Sequence, residues 1–150
     1  MSRRTRGFSR ERELARLLYK RGFAVIRAPA SGAKAKRVSY PDIVAIKNSV
    51  VLVFEVKTRE KPCSIYIDKR QYMKLLDFVE RSGGYGFIAV KIMDGRGWRF
   101  IPLEMVEETR GGNYKVSVEA IEKGYRLDDI VRLCSKTRCI LDWAKTQLPP

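Results

Sequence analysis

Two apolar stretches, Ile43 to Ile46 and Val50 to Phe54, are separated only by Lys47-Asn48-Ser49 and read as adjacent strands joined by a short hairpin-like connection. Val50 to Phe54 shows no polar alternation, the pattern of a strand buried on both faces. Pro41-Asp42 leads into the first strand, and Glu55-Val56-Lys57 closes the second. Residues two apart on a strand share a face, so Glu55 and Lys57 project together. Charges at the end of a buried strand are costly to desolvate unless a partner offsets the cost. A divalent cation held by Asp42 and Glu55 would be such a partner.

Upstream, Ser9 is a plausible N-cap for a helix that runs to about Arg21 and stops at Gly22, with Leu14, Leu17 and Leu18 as its apolar stripe. At roughly 100° per residue, Glu11 lies about 60° from Leu14, whereas Glu13 lies about 100° away on the other side. Glu11, not Glu13, is therefore expected to face the body of the domain, and its place in the first turn suits the helix dipole. Residues 1–7 read as a basic, flexible tail, Phe23 to Ile26 as a short strand ending at Arg27, and residues 29–41 as a loop. Downstream, a short extended piece at Ile65 to Ile67 precedes a helix capped by Asp68 and stopped by Gly83-Gly84. Tyr72, Leu75, Leu76 and Val79 form its core stripe; Met73 and Phe78 fall outside and are candidate dimer contacts. Strands are predicted at Tyr85 to Val90 and Trp98 to Ile101, then an acidic turn-like stretch over 103–112, a short extended piece at 114–118 and a terminal helix from Leu127 to Leu148, whose end and tail occupy residues 137–150. This order predicts one α/β domain over residues 1–150, a central mixed β-sheet flanked by helices.

Charge sharpens the picture. The 31 Lys/Arg exceed the 17 Asp/Glu, for a net charge of +14, and residues 1–37 hold twelve of the cations against two Glu. A surplus concentrated in one region predicts a polyanion footprint, with nucleic acid ahead of an anionic membrane. Arg3, Arg4 and Arg6 on the tail, Arg10, Arg12 and Arg16 on the helix, and Lys34, Lys36 and Arg37 on the small-residue loop are the candidate phosphate contacts. No apolar run is long enough for a bilayer and no signal peptide is evident, so an intracellular, cytoplasmic protein is expected. The three cysteines, Cys63, Cys134 and Cys139, have no zinc-ligand spacing and read as reduced, with Cys134 and Cys139 packed in the terminal helix.

The chain has no histidine, which excludes every histidine-dependent hydrolytic mechanism and most zinc sites. Hydrolysis must then use carboxylates, Lys, Tyr, Ser and a metal. Asp42 and Glu55 are hard oxygen ligands of the kind that hold Mg²⁺, and the backbone carbonyl of Val56 can join them. Lys57 is placed to activate a water or stabilise transition-state charge, Glu11 to complete a metal position from the helix, and Gln71 to orient water or a phosphate oxygen. The same residues also fit a surface aspartate in a turn beside an exposed Glu55–Lys57 pair worth little energetically.

Pro41-Asp42, twelve residues, then Glu55-Val56-Lys57 resembles the motif of the PD-(D/E)XK, restriction-endonuclease-like nucleases. Glu11-Arg12, the phrase from Arg21 to Gly32, and Arg81-Ser82-Gly83-Gly84 extend the similarity to the archaeal Holliday junction resolvase family over roughly residues 7–105. The resemblance implies a restriction-endonuclease-like fold and a homodimer that nicks opposing strands of a four-way DNA junction with Mg²⁺, or Mn²⁺ in its place. It implies Glu11, Asp42, Glu55 and Lys57 as the catalytic set, Ser31 as a further active-site residue, and Arg12 and Arg27 as DNA contacts. Recombination or replication proteins are expected as further, unidentified partners. The competing expectations are a related nuclease acting on linear or flapped DNA and a non-catalytic DNA-binding protein of the same fold.

Overall fold

A computed structural model describes the chain at residues 3–28 and 40–135. The elements run α1 (Arg3–Lys20), β1 (Ala24–Arg27), β2 (Ile43–Lys47), β3 (Val50–Arg59), β4 (Ile65–Ile67), α2 (Lys69–Ser82), β5 (Tyr85–Ile92), β6 (Gly97–Pro102), a 3₁₀ turn (Leu103–Met105), β7 (Glu107–Glu108), β8 (Tyr114–Val116), α3 (Val118–Lys123) and α4 (Leu127–Leu133). Five strands form the central sheet in the order β1-β2-β3-β5-β6. Among the described residues only β3 and β5 pair in parallel, connected through α2, so the sheet is mixed as expected.

β3 is the spine. Leu52, Val53 and Phe54 are fully buried. Leu52 and Phe54 join Leu14, Leu18, Phe87, Phe100 and Ile130 in a core beneath α1 and α4, while Val53 joins Tyr72, Leu75, Ile88 and Ile121 in a second core beneath α2 and α3. A strand with an apolar residue at every position can serve two cores at once. Glu55 and Lys57 continue the row of Val53, which turns them toward α2.

The hairpin between β2 and β3 is a two-residue loop, because Lys47 pairs with Val50. Asn48 and Ser49 both take positive φ, 50° and 64°, the geometry that matches the twist of the flanking strands. At α2, the Asp68 side chain accepts from the Gln71 N–H, and Gly83 ends the helix at φ 65°.

Several expectations need correction. α1 begins at Arg3, so Ser9 lies inside the helix rather than at its cap, and the expected tail is helical from Arg3 on. Gly7 lies within this stretch at a cost of roughly 1 kcal/mol relative to alanine, while the arginines around it are good helix formers. Glu11 is consequently in the third turn and gains nothing from the N-terminal dipole. β3 and β5 run on to Arg59 and Ile92, because pairing between them continues past the apolar runs. The stretch 103–112 is not merely turn-like, since it holds the 3₁₀ turn and β7; the extended pieces expected at 65–67 and 114–118 are β4 and β8, which join β7 in a separate small sheet, and Ser117 caps the short helix α3 by accepting from the Ala120 N–H. α4 ends at Leu133 and the buried Cys134 is its C-cap, so a helix continuing unbroken to Leu148 is excluded. Cys139 and residues 136–150 lie outside the described residues. Phe78 packs partly against the second core, whereas Met73 is 44% exposed.

Candidate active site

The first side chain of the site owes its place to a missing strand partner. β2 starts at Ile43, opposite Phe54, so among the described residues β3 from Glu55 onward has no strand beside it on that edge. The Val56 N–H, which a neighbouring strand would have bonded, donates instead to Asp42 Oδ2 at 2.7 Å. The Ala28 N–H donates to the Asp42 carbonyl at 3.0 Å and anchors its backbone to the end of β1. Asp42 is thus held at the corner where the sheet edge meets α1.

Glu55 is only 8% exposed and is the one buried charged side chain among the described residues. Its Oε1 accepts from Lys57 Nζ at 2.9 Å and from Gln71 Nε2, and Lys57 also reaches Gln71 Oε1 at 3.4 Å. Gln71 therefore grips the acid and the lysine together, a more specific task than the water-orienting role expected of it. Its position follows from the Asp68 cap, which starts α2 directly over the end of β3.

Glu11 reaches the site from α1. Its Oε2 lies 3.5 Å from Arg27 Nη1, an ion pair without hydrogen-bond geometry, and that nitrogen is buried with no other partner. Arg27, expected as a DNA contact, is turned toward Glu11. Arg12 and Arg16 are exposed on α1, as expected of phosphate contacts, but Arg10 is tied to Glu13 at 2.6 Å. Glu13 does not face away: it accepts from Lys91 Nζ at 2.7 Å and from Trp98 Nε1 at 3.3 Å. Both glutamates are inward because α1 lies flat across the sheet, with Leu14 and Leu18 fully buried between them and the strands. A stripe drawn from the leucines alone misses such a flank; Arg10 three residues before Glu13 was the available signal.

The electrostatics of the cluster are those of crowded, desolvated acids. Burial, reinforced by the Asp42 charge, pushes Glu55 up to about 7 despite the opposing Lys57. Burial also raises Asp42, against the Val56 N–H and Lys57, and raises Glu11, with help from Asp42 and against Arg27. Three acids whose ionised forms are all disfavoured make a site in which added positive charge is stabilising. No three acidic, cysteine or histidine side chains close into a cage among the described residues. Mg²⁺ does not require one, since it is usually held by one or two carboxylates, waters and phosphate oxygens. Ser31, Lys34, Lys36 and Arg37, and the side chains of Arg3, Arg4 and Arg6, lie outside the described residues.

Comparison with known proteins follows this geometry. The family model for archaeal Holliday junction resolvases (Hjc) matches residues 2–139. The chain is similar to the crossover junction endodeoxyribonuclease Hjc of Sulfurisphaera tokodaii, 46% identical over 131 residues that cover 87% of this chain and 89% of the relative. The Sulfolobus acidocaldarius protein of the same name is 39% identical over 132 residues, covering 88% of this chain and 90% of the relative. Among solved structures, Archaeoglobus fulgidus Hjc, described as a Holliday junction resolvase from an archaeal hyperthermophile, matches with a TM-score of 0.74 at 30% identity, covering 85% of this chain and 96% of that one.

Proposed function

Because the chain belongs to the archaeal Holliday junction resolvase family and is therefore an endonuclease that resolves four-way DNA junctions, we propose that the cluster of Asp42, Glu55 and Lys57 is where it hydrolyses the phosphodiester. The observation that carries this reading is the meeting of three burial-strained carboxylates and a lysine at the one unpaired edge of the central strand. A surface Asp and an exposed Glu–Lys pair would have ordinary acidities and no shared partner.

The donor set fits a divalent metal, Mg²⁺ with Mn²⁺ as a substitute. Asp42 and Glu55 would hold it, with Glu11 contributing from α1. The N–H and carbonyl of a strand residue point to the same edge. The Val56 carbonyl therefore faces the edge on which Asp42 sits. A bound divalent cation would make a water more acidic and draw charge from the phosphate oxygens. The residues do the rest. Gln71 keeps Glu55 and Lys57 in one geometry, and Lys57 carries a positive charge to the phosphate. Ser31, on the chain between Arg27 and Asp42, joins as a further active-site residue.

DNA would be drawn in by Arg12 and Arg16 on the exposed side of α1, with Arg3, Arg4, Arg6, Lys34, Lys36 and Arg37 adding to the same footprint. A four-way junction has approximate two-fold symmetry, and a homodimer with an isologous interface matches it. On the sheet face opposite α1, the β1–β2 end is left uncovered: Ile26 is 63% and Ile46 36% exposed. That apolar strip is the face we assign to a second copy; Met73, expected as a dimer contact, stands apart from it, its sulfur accepting from the Tyr114 hydroxyl at 3.9 Å. No helix among the described residues is long and apolar enough to cross a membrane. For an enzyme that works on recombining DNA, the cytoplasm is the expected location.

The test offers a labelled four-way junction and a matched linear duplex with Mg²⁺, with EDTA as control. The expected outcome is paired, symmetric nicks in the junction alone, lost in EDTA and in Asp42→Ala while junction binding persists. Normal cutting by Asp42→Ala would overturn the catalytic assignment, and equal cutting of linear duplex would overturn junction selectivity. Ile26→Glu is expected to yield monomers by light scattering; an intact dimer would exclude that face.

A further inference from the structure

Positive charge also gathers on the flank of α1 away from the catalytic cluster. A cleft of about 520 Å³ opens between the end of α1, the start of β6 and the start of α4, lined by Arg21, Arg96, Arg99 and Arg126 with Trp98 and Asp128. Two of the four guanidiniums are occupied. Arg21 pairs with Asp128 at 2.6 Å, and Arg96 with Asp94 at 3.2 Å and more distantly with Glu122. Arg99 donates only to the carbonyls of Arg96 and Trp98, at 2.9 and 3.0 Å. Among the described residues, the guanidinium of neither Arg99 nor Arg126 has a carboxylate partner, although the Arg126 backbone N–H donates to Asp129 Oδ2 at 2.9 Å.

Like charges gathered in a concave wall repel one another unless an anion sits between them. The guanidinium fork matches the oxygens of a phosphate diester, which makes that anion the natural occupant. The wall argues against base recognition. Trp98 is 7% exposed and its indole N–H is engaged by Glu13, so it offers no ring face for stacking. Groups that touch only phosphates position a duplex without reading its sequence.

The location fits a DNA arm. Trp98 is fastened to Glu13, two residues along α1 from Glu11, so the cleft lies on the far flank of the helix from the catalytic cluster. The exposed Arg12 and Arg16 stand on the ridge between them. From Arg12 to Arg21 the helix rises roughly 14 Å, a span that covers several backbone phosphates of a duplex.

We propose that this cleft is a second DNA-binding site, which grips the phosphate backbone of a duplex arm at a distance from the scissile bond. The proposal rests on the reading of the chain as a junction-resolving nuclease and adds to it a surface for the arms. It makes affinity depend on arm length, which the catalytic cluster alone does not.

The experiment compares wild type with Arg99→Gln/Arg126→Gln on junctions with long arms and on junctions whose arms are trimmed close to the branch point, each titrated across salt. On long arms the variant is expected to show a salt slope smaller by about two, so that wild type loses about tenfold more affinity between 50 and 200 mM salt. On trimmed arms the two proteins should bind alike. Equal slopes on long arms, as an acidic peptide ligand for the cleft would give, overturn the proposal; so does an equal loss on both substrates. Nicking of the junction by wild type in the same series reports separately on the resolvase reading. If the double variant unfolds at a lower temperature, Arg126→Gln alone decides the matter, with a slope change of about one expected and none overturning.

Discussion

Replacing Glu55 with glutamine should inactivate the enzyme and make it more stable. Glu55 is raised from 4.5 to about 7 by burial and by the neighbouring Asp42. Below about pH 4.5 the carboxyl is protonated in both folded and unfolded chains and has no differential effect. Between about 4.5 and 7 the unfolded chain loses its proton while the folded one keeps it, so stability falls as the pH rises. Above about 7 both are ionised and the loss is complete. At roughly 1.4 kcal/mol per unit, the shift amounts to about 3 kcal/mol at pH 8. Glutamine mimics the protonated acid, so Glu55→Gln should match wild type near pH 4.5 and exceed it by about 3 kcal/mol at pH 8. For a chain of this size that is a rise of roughly 6–12 °C in melting temperature. Denaturant melts in EDTA at pH 5, 6, 7 and 8 measure the gap directly. Adding Mg²⁺ should narrow it, because a ligand that binds only the folded wild type stabilises that state. Parallel curves across the whole range in EDTA, or a variant less stable than wild type at pH 8, would refute the reasoning that Glu55 is a strained, desolvated acid.

Three further outcomes follow from the same geometry. Apparent Mg²⁺ affinity by calorimetry should weaken about tenfold per unit as the pH drops below about 7, because Glu55 must lose its proton to bind; an affinity independent of pH would exclude Glu55 as a ligand. Gln71→Leu should lower kcat roughly 10- to 100-fold with junction affinity unchanged, since it removes the donor to Glu55 and the acceptor for Lys57. Unaltered turnover would reduce Gln71 to packing. Gly86→Ala should cost roughly 1–3 kcal/mol in denaturant melts, because a Cβ there would lie 2.5 Å from Leu103 Cδ1 and 2.8 Å from Val79 Cγ2.

Much of the site was legible because its residues are local to one strand pair. Asp42, Glu55 and Lys57 flank two apolar runs whose pairing is dictated by a two-residue turn, so their convergence follows from strand periodicity. Glu11 was legible from helical phase, although its expected place in the first turn was wrong because α1 begins at Arg3. What escaped was anything set by the partner surface. Glu13 stayed hidden because its partners, Lys91 and Trp98, are nearly eighty residues or more away on β5 and β6. The small sheet of β4, β8 and β7 joins strands of two or three residues, too short for a period to emerge, and α3 is a single helical turn or two between polar neighbours.

The sequence by itself determined the chemistry available and where it would be carried. The absence of histidine, the two carboxylates and lysine around a twice-buried strand, and the cationic first third make metal-assisted work on a polyanion the expectation. Tertiary structure alone decided how strongly the acids are strained and what holds them. β2 stops one residue short of Glu55, leaving an N–H for Asp42 to accept from; α2 sets Gln71 over Glu55; and Arg27 turns from solvent to Glu11. It alone gathered Arg21, Arg96, Arg99 and Arg126 into one cleft. The physical reason is the same in each case: residue type and spacing fix the local periodicity, whereas desolvation and charge–charge energies depend on distances between segments that no local pattern encodes.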